Sequence, residues 1–128
     1  MVTHHTPGGI RPPFARYSHG VEVEAGARLM FCSGQLGIGA DDEIPEGAAE
    51  QTRLCFGNIR AILVAAGMTL SDIIRINGFV SDRAYLKDYM AARDEFTADP
   101  PPASTLMVVS GFAREEFKVE VEVVAAKG

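Results

Sequence analysis

From Ser18 the chain alternates: Val21 and Val23 point one way and Glu22 and Glu24 the other, which predicts a strand with one wet face. Ala25-Gly26 is a turn signal, and Arg28 to Ser33 predicts the return strand of a hairpin. Gly34 to Gly39 is too rich in glycine to continue that strand, and Asp41, Asp42 and Glu43 form an acidic turn. The pattern then changes period. Ala48, Cys55, Ile59, Ile62, Leu63 and Ala66 recur at helical spacing, so a long helix opens at Pro45-Glu46, carrying Arg53 and Arg60 off its buried stripe. Gly67 is placed to end it, because glycine accepts the left-handed residue of a helix terminus.

Ser71-Asp72 leads into a strand from Ile73 to Val80 that is apolar on parts of both faces, the mark of a central strand. Ile74, Ile76 and Val80 are expected on one face, and Ile73, Arg75, Asn77 and Phe79 on the other. Asp82 is positioned to cap a second helix over Ala84 to Phe96, with Leu86, Tyr89, Met90 and Arg93 along one side. Pro100, Pro101 and Pro102 stop that helix. Thr105 to Val109 and Lys118 to Ala125 read as the closing strands, with Gly111 to Glu116 turning between them. The predicted order is β-β-α-β-α-β-β. It describes an α+β domain over residues 1–128, with one mixed sheet and both helices on one face; residues 1–14 are an extended or mobile lead.

Such a sheet leaves its second face open. Val119, Val121 and Val123 would line the covered side, while Ile73, Phe79 and Val124 would add apolar area to the open one. Monomers rarely expose large contiguous apolar patches, so self-association through this face is expected.

Composition narrows the classes of function. The chain has 128 residues, 47% hydrophobic and 23% charged, enough for one domain with a core that needs no staples. Twelve Lys+Arg against seventeen Asp+Glu give a net charge of −5 with no basic stripe, which disfavours nucleic acid and anionic membrane as partners. No apolar run reaches the length needed to span a bilayer. Cys32 and Cys55 have no metal-type spacing and read as reduced, buried small hydrophobes. The first residues carry no apolar signal core, so a cytoplasmic location is expected.

Few residues announce chemistry. His4-His5 has no third ligand at metal spacing and reads as a solvated pair. Gly34, Gly37 and Gly39 do not precede a helix N-terminus as a phosphate cradle requires. Ser33 and Ser104 lack a nucleophile motif, and only His19 could serve either as a base. Glu120 and Glu122 alternate with valines on the last strand. A carboxylate enclosed at an interface there would have a raised pKa and could move protons near neutrality.

Taken in order, these residues resemble the Rid family (reactive intermediate deaminases, YjgF or L-PSP endoribonuclease-like). The resemblance rests on Tyr17-Ser18, Ser33-Gly34-Gln35, Gln51-Thr52, Asn58-Ile59 and Ala65-Ala66-Gly67. It continues through Asp72-Ile73-Ile74, Phe79-Val80, Asp82, Pro102-Ala103 and Val119-Glu120-Val121-Glu122. It implies a chorismate-mutase-like fold in a homotrimer, with clefts between subunits that hydrolyse enamines and imines to ammonia and a carbonyl product. No cofactor and no metal are implied. Carried over by position, Glu120 handles water, while Tyr17 and Gly34 belong to the substrate pocket. The family arginine after Pro-Ala is Ser104 here, followed by Thr105, and a frequent asparagine of the second helix is Met90. The loss of the arginine points away from 2-aminoacrylate and toward an arginine-lacking branch, with Ser104, Thr105 and Tyr17 making polar contacts. Arg16 and Arg93 are read as surface ion-pairing residues, an anion contact from either being the alternative. A non-catalytic small-molecule-binding trimer is the competing function, and RNA cleavage is disfavoured by the acidic charge balance.

Overall fold

A computed structural model describes residues 1–128. Its strands are β1 (Val2–His5), β2 (Gly20–Val23), β3 (Arg28–Leu36), β4 (Ile73–Val80), β5 (Ala103–Val108) and β6 (Val119–Lys127). Its helices are α1 (Ala48–Ala65) and α2 (Leu86–Asp94). Four strands form a mixed sheet in the order β3-β6-β4-β5, antiparallel except for the parallel β4/β5 pair. Residues of both helices pack with the inward side chains of this sheet in one core. This is the two-helix α+β architecture expected from the sequence. No helix is long and apolar enough to cross a membrane.

The N-terminal end differs from expectation. The lead contains a strand, β1, which pairs antiparallel with β2 from Val2↔Val23 to His5↔Gly20. The expected hairpin between β2 and β3 does not form: β1 and β2 make a separate ribbon, and β3 is an edge of the main sheet. Alternation identifies a strand but not its partner. β3 also continues past Ser33, because a bulge between Cys32 and Gln35 absorbs Gly34 and the strand runs on to Leu36.

The long helix begins at Ala48, slightly later than Pro45-Glu46, with Gly47 in extended conformation before it. It ends as predicted. Gly67 has φ 72°, its N–H donates to Val64 and the N–H of Met68 donates to Leu63, closing a Schellman turn. Met68 and Leu63 both enter the core beneath that turn. Phe56, Ile59, Val119 and Val121 are fully buried there. Gln51 and Thr52, polar residues outside the predicted stripe, are equally buried. Gln51 Nε2 donates to the carbonyls of Pro45 (2.8 Å) and Glu116 (2.9 Å), and its Oε1 accepts from the N–H of Lys118 (2.8 Å). One side chain thus ties the entry to α1 to the start of β6.

On β4 the facing is partly reversed. Ile73, expected on the open side, is buried in the core with Ile76 and Val80, while Ile74 is half-buried. A register shift between Ile73 and Arg75 against β6 is the cause, since one extra residue inverts the facing of everything on its far side. The open face keeps Phe79 and Val124, both half-buried, and adds Phe31 at 71% exposure and Met107 at 51%. The second helix is also shorter than predicted. Asp82 accepts the N–H of Ala84 (2.9 Å), but the turn it caps is a 3-10 segment, Arg83–Tyr85, and α2 starts only at Leu86.

Candidate functional site

β6 sorts its residues by parity. Val119, Val121 and Val123 point into the core, so Glu120, Glu122 and Val124 point to the open face. Glu120 lies opposite Leu36 on β3 and Phe79 on β4. The carboxyl of Glu120 is held above the ordinary carboxylate range, first by loss of hydration among these neighbours and second by the negative charge of Glu122. Glu122 accepts a hydrogen bond from Asn77 Nδ2 (3.1 Å). Glu120 has no such donor, so its oxygens are left for water or ligand.

The Ser33-Gly34-Gln35 segment is the bulge of β3: Cys32 faces Val123 while Gln35 faces Val121, leaving one residue too many on the β3 side. Gly34 sits against the Glu120 side chain. A Cβ at Gly34 would lie 2.6 Å from Glu120 Oε2 and 2.8 Å from its Cδ. The bulge is held from below by Cys55 on α1, whose thiol donates to the Gln35 carbonyl (3.1 Å). Burial, and secondarily Glu120, pushes that thiol up to about 12, so it remains protonated as a hydrogen-bond donor. Both cysteines are free and buried, as read from the sequence.

A second group of the predicted residues gathers elsewhere. Phe14, Tyr17, Met90, Arg93, Ser104 and Leu106 line a cavity of about 240 Å³ between the N-terminal segment, α2 and β5. Ser18 straps this segment to the sheet: its N–H donates to the Pro102 carbonyl (3.0 Å) and its hydroxyl to that of Pro101 (2.5 Å). Tyr17 is thereby set beside β5, its hydroxyl accepting the N–H of Phe14 (3.2 Å) and its ring edge-on to His19.

Ser104 and Thr105, expected to act together, lie on opposite faces. Ser104 is in register with the core residue Ile76, and Thr105 with Asn77 of the open face. Thr105 accepts a hydrogen bond from Arg75 Nη2 (2.7 Å) and is not among the residues lining the cavity. Strand alternation separates any two consecutive residues in this way. Within the chain, Glu120 and Gly34 therefore lie together on the open face, and Tyr17, Met90 and Ser104 form a separate group at the cavity.

Arg16 makes no ion pair, and Arg93 pairs with Asp94 but is buried and not at the surface as expected. Arg16 donates to the Ala98 carbonyl (2.8 Å) in the α2–β5 connection. Arg93 is 2% exposed and lines the cavity. Its place on the same side of α2 as Met90 was legible in the spacing, but its burial was not. Asn77, which orients Glu122, was likewise missed as a functional neighbour; its register with the acidic pair on β6 is visible only in the assembled sheet.

A family model described as Endoribonuclease L-PSP matches residues 9–127. The RutC family protein YjgH of Escherichia coli K12 is 33% identical, over 90% of this chain and 88% of its own. The E. coli K12 protein named "Putative reactive intermediate deaminase TdcF" is 32% identical, over 99% of this chain and 95% of its own. Among solved structures, the Rid-family protein YyfB from Yersinia pestis superposes with a TM-score of 0.85 at 27% identity, covering 98% of both chains. TdcF crystallised with bound serine superposes with a TM-score of 0.72 at 29% identity, again over 98% of each.

Proposed function

We propose that this chain, which belongs to the endoribonuclease L-PSP (Rid) family, is a hydrolytic deaminase of small reactive enamines or imines that works as a homotrimer. The observation that carries this reading is the Glu120 carboxyl: poorly hydrated, raised in proton affinity, seated on Gly34 and free of protein hydrogen-bond donors. Such a group can exchange protons near neutrality. In the proposed cycle an enamine tautomerises to the imine and water adds at the imine carbon. Glu120 takes a proton from that water and delivers one to nitrogen. The carbinolamine then collapses to a carbonyl product and ammonia.

The two groups support assembly. Glu120 and the Tyr17–Ser104 cavity are separate in one protomer, and the sheet face that carries Glu120 also exposes Phe31 and Met107. Contact between copies through this face would remove that apolar area from water and could bring one copy's carboxylate to another's cavity. A relative holding serine fits a pocket for small amino-acid-derived compounds. The acidic surface remains a poor one for RNA.

The test is ammonia release from a panel of imines generated by an amino-acid oxidase, comparing the protein with Glu120→Gln. Turnover that depends on Glu120 is expected; equal release by both proteins refutes its role. Ligand-induced thermal stabilisation without turnover on any imine would instead favour the non-catalytic binder, a reading that Ser104 in place of the family arginine keeps in view.

A further inference from the structure

We infer that Arg93 is the anion-binding residue of this chain's site, receiving the carboxylate of a small imino or enamino acid in the cavity beside Tyr17 and Ser104. The identity of the ligand rests on the deaminase reading; the anion contact itself rests on the side chain's surroundings.

Those surroundings leave the guanidinium half-satisfied. Its Nε donates to Asp94 Oδ1 (3.1 Å). Nη2 lies 3.0 Å from the same oxygen but is not aligned for a hydrogen bond and has no other acceptor. A single oxygen of a neighbouring, partly exposed carboxylate thus holds one corner of a five-donor fork built to grip two oxygens. A buried cation left in this state is costly, and an apolar side chain would pack the same space at lower free energy. An anion entering the cavity would supply the missing acceptors.

The cavity suits a small organic anion. Phe14, Met90 and Leu106 provide apolar wall for a short carbon skeleton, and the Tyr17 and Ser104 hydroxyls provide donors beside the guanidinium. Ser104 occupies the position where the sequence resemblance leads one to expect arginine, and its side chain is too short to act as a clamp. Arg93 brings the same functional group to the same cavity from α2. Arg16 also has a buried Nε without a partner, but its Nη2 donates to the Ala98 carbonyl and its side chain does not line the cavity, so it does not compete for the role.

The test is a calorimetric titration of the full chain with pyruvate, a carboxylate probe, and with methyl pyruvate, its neutral ester. The protein should prefer pyruvate. Arg93→Gln should weaken pyruvate about tenfold or more, the loss of a charged hydrogen-bonded pair, while leaving methyl pyruvate unchanged. Asp94→Asn, which removes the competing negative charge beside Arg93 while keeping an oxygen acceptor there, should tighten pyruvate. Ser104→Arg added to Arg93→Gln should restore the preference. Equal pyruvate affinity in Arg93→Gln, or no preference for the carboxylate in the unaltered protein, overturns the inference. Should Arg93→Gln fail to fold, Asp94→Asn decides alone, and unchanged or weaker pyruvate binding overturns it. The outcome is separable from the deaminase reading. Arg93-dependent pyruvate binding without ammonia release sinks only the chemistry. Glu120-dependent ammonia release with Arg93-independent binding sinks only the clamp.

Discussion

Gly34→Ala isolates the placement of Glu120 from its chemistry. A methyl at this position would stand 2.6 Å from Oε2, 2.8 Å from Cδ and 3.1 Å from Cγ of Glu120, against 3.4 Å or more for ordinary contacts. The carboxylate must therefore retreat by about 0.8 Å or change rotamer, at roughly 0.5–1.5 kcal/mol. The backbone tolerates alanine, because Gly34 does not have positive φ, and replacing a strand glycine recovers about 0.5–1 kcal/mol of chain entropy. Stability should thus change by less than about 1 kcal/mol. Activity should not be so forgiving, since displacement of a reacting group by about 1 Å can lower rate on the order of a hundredfold. Urea denaturation and ammonia release on one preparation give both numbers. Gly37→Ala is the contrast: its Cβ would lie 2.5 Å from Gln51 Cβ and 2.8 Å from Gln51 Cα, atoms that cannot swing away, so it should destabilise outright. A Gly34→Ala protein that is stable and retains full turnover would refute the claim that Glu120 acts from where it sits.

Other predictions address separate parts of the structure. Glu120→Gln should stabilise the fold at neutral pH, because a carboxyl whose folded pKa is raised favours folding below its ordinary value of 4.5 and loses that contribution as pH rises through the folded value; an advantage that grows on acidification would contradict the sign. Gln51→Ala leaves the Lys118 N–H and two carbonyls without their partner and should lower stability by about 2–4 kcal/mol in denaturant melts. Cys55 should resist iodoacetamide at pH 8 until the protein unfolds, and rapid labelling of the native state would show the bulge support to be loose. Phe31→Asp should leave the secondary structure seen by circular dichroism intact, while sedimentation shows loss of the proposed trimer and ammonia release falls; an assembly that persists would exclude this face as its interface.

The elements themselves were legible because each depends on neighbours in the chain. The valine/glutamate alternation of β6, the helical stripe of α1 and the glycine that ends it all appear in the structure where periodicity places them. So does Glu120 on the outward parity, since alternation is a local geometric fact. The ordered motifs added the family, which separate spacings could not.

Partner choice, register and burial were settled only by the assembled chain. Nothing local tells β2 to pair with β1 over β3, and a one-residue bulge after Ile73 is invisible until β6 lies alongside. Arg93 shows the same limit for a site. Its helical position could be counted out residue by residue, whereas its withdrawal from water, and the cavity it shares with Phe14 and Tyr17 of the N-terminal segment and with Ser104 of β5, exist only in the folded chain. Periodicity is short-ranged, but desolvation is caused by whatever lies nearby in space, and here that material comes from far along the chain.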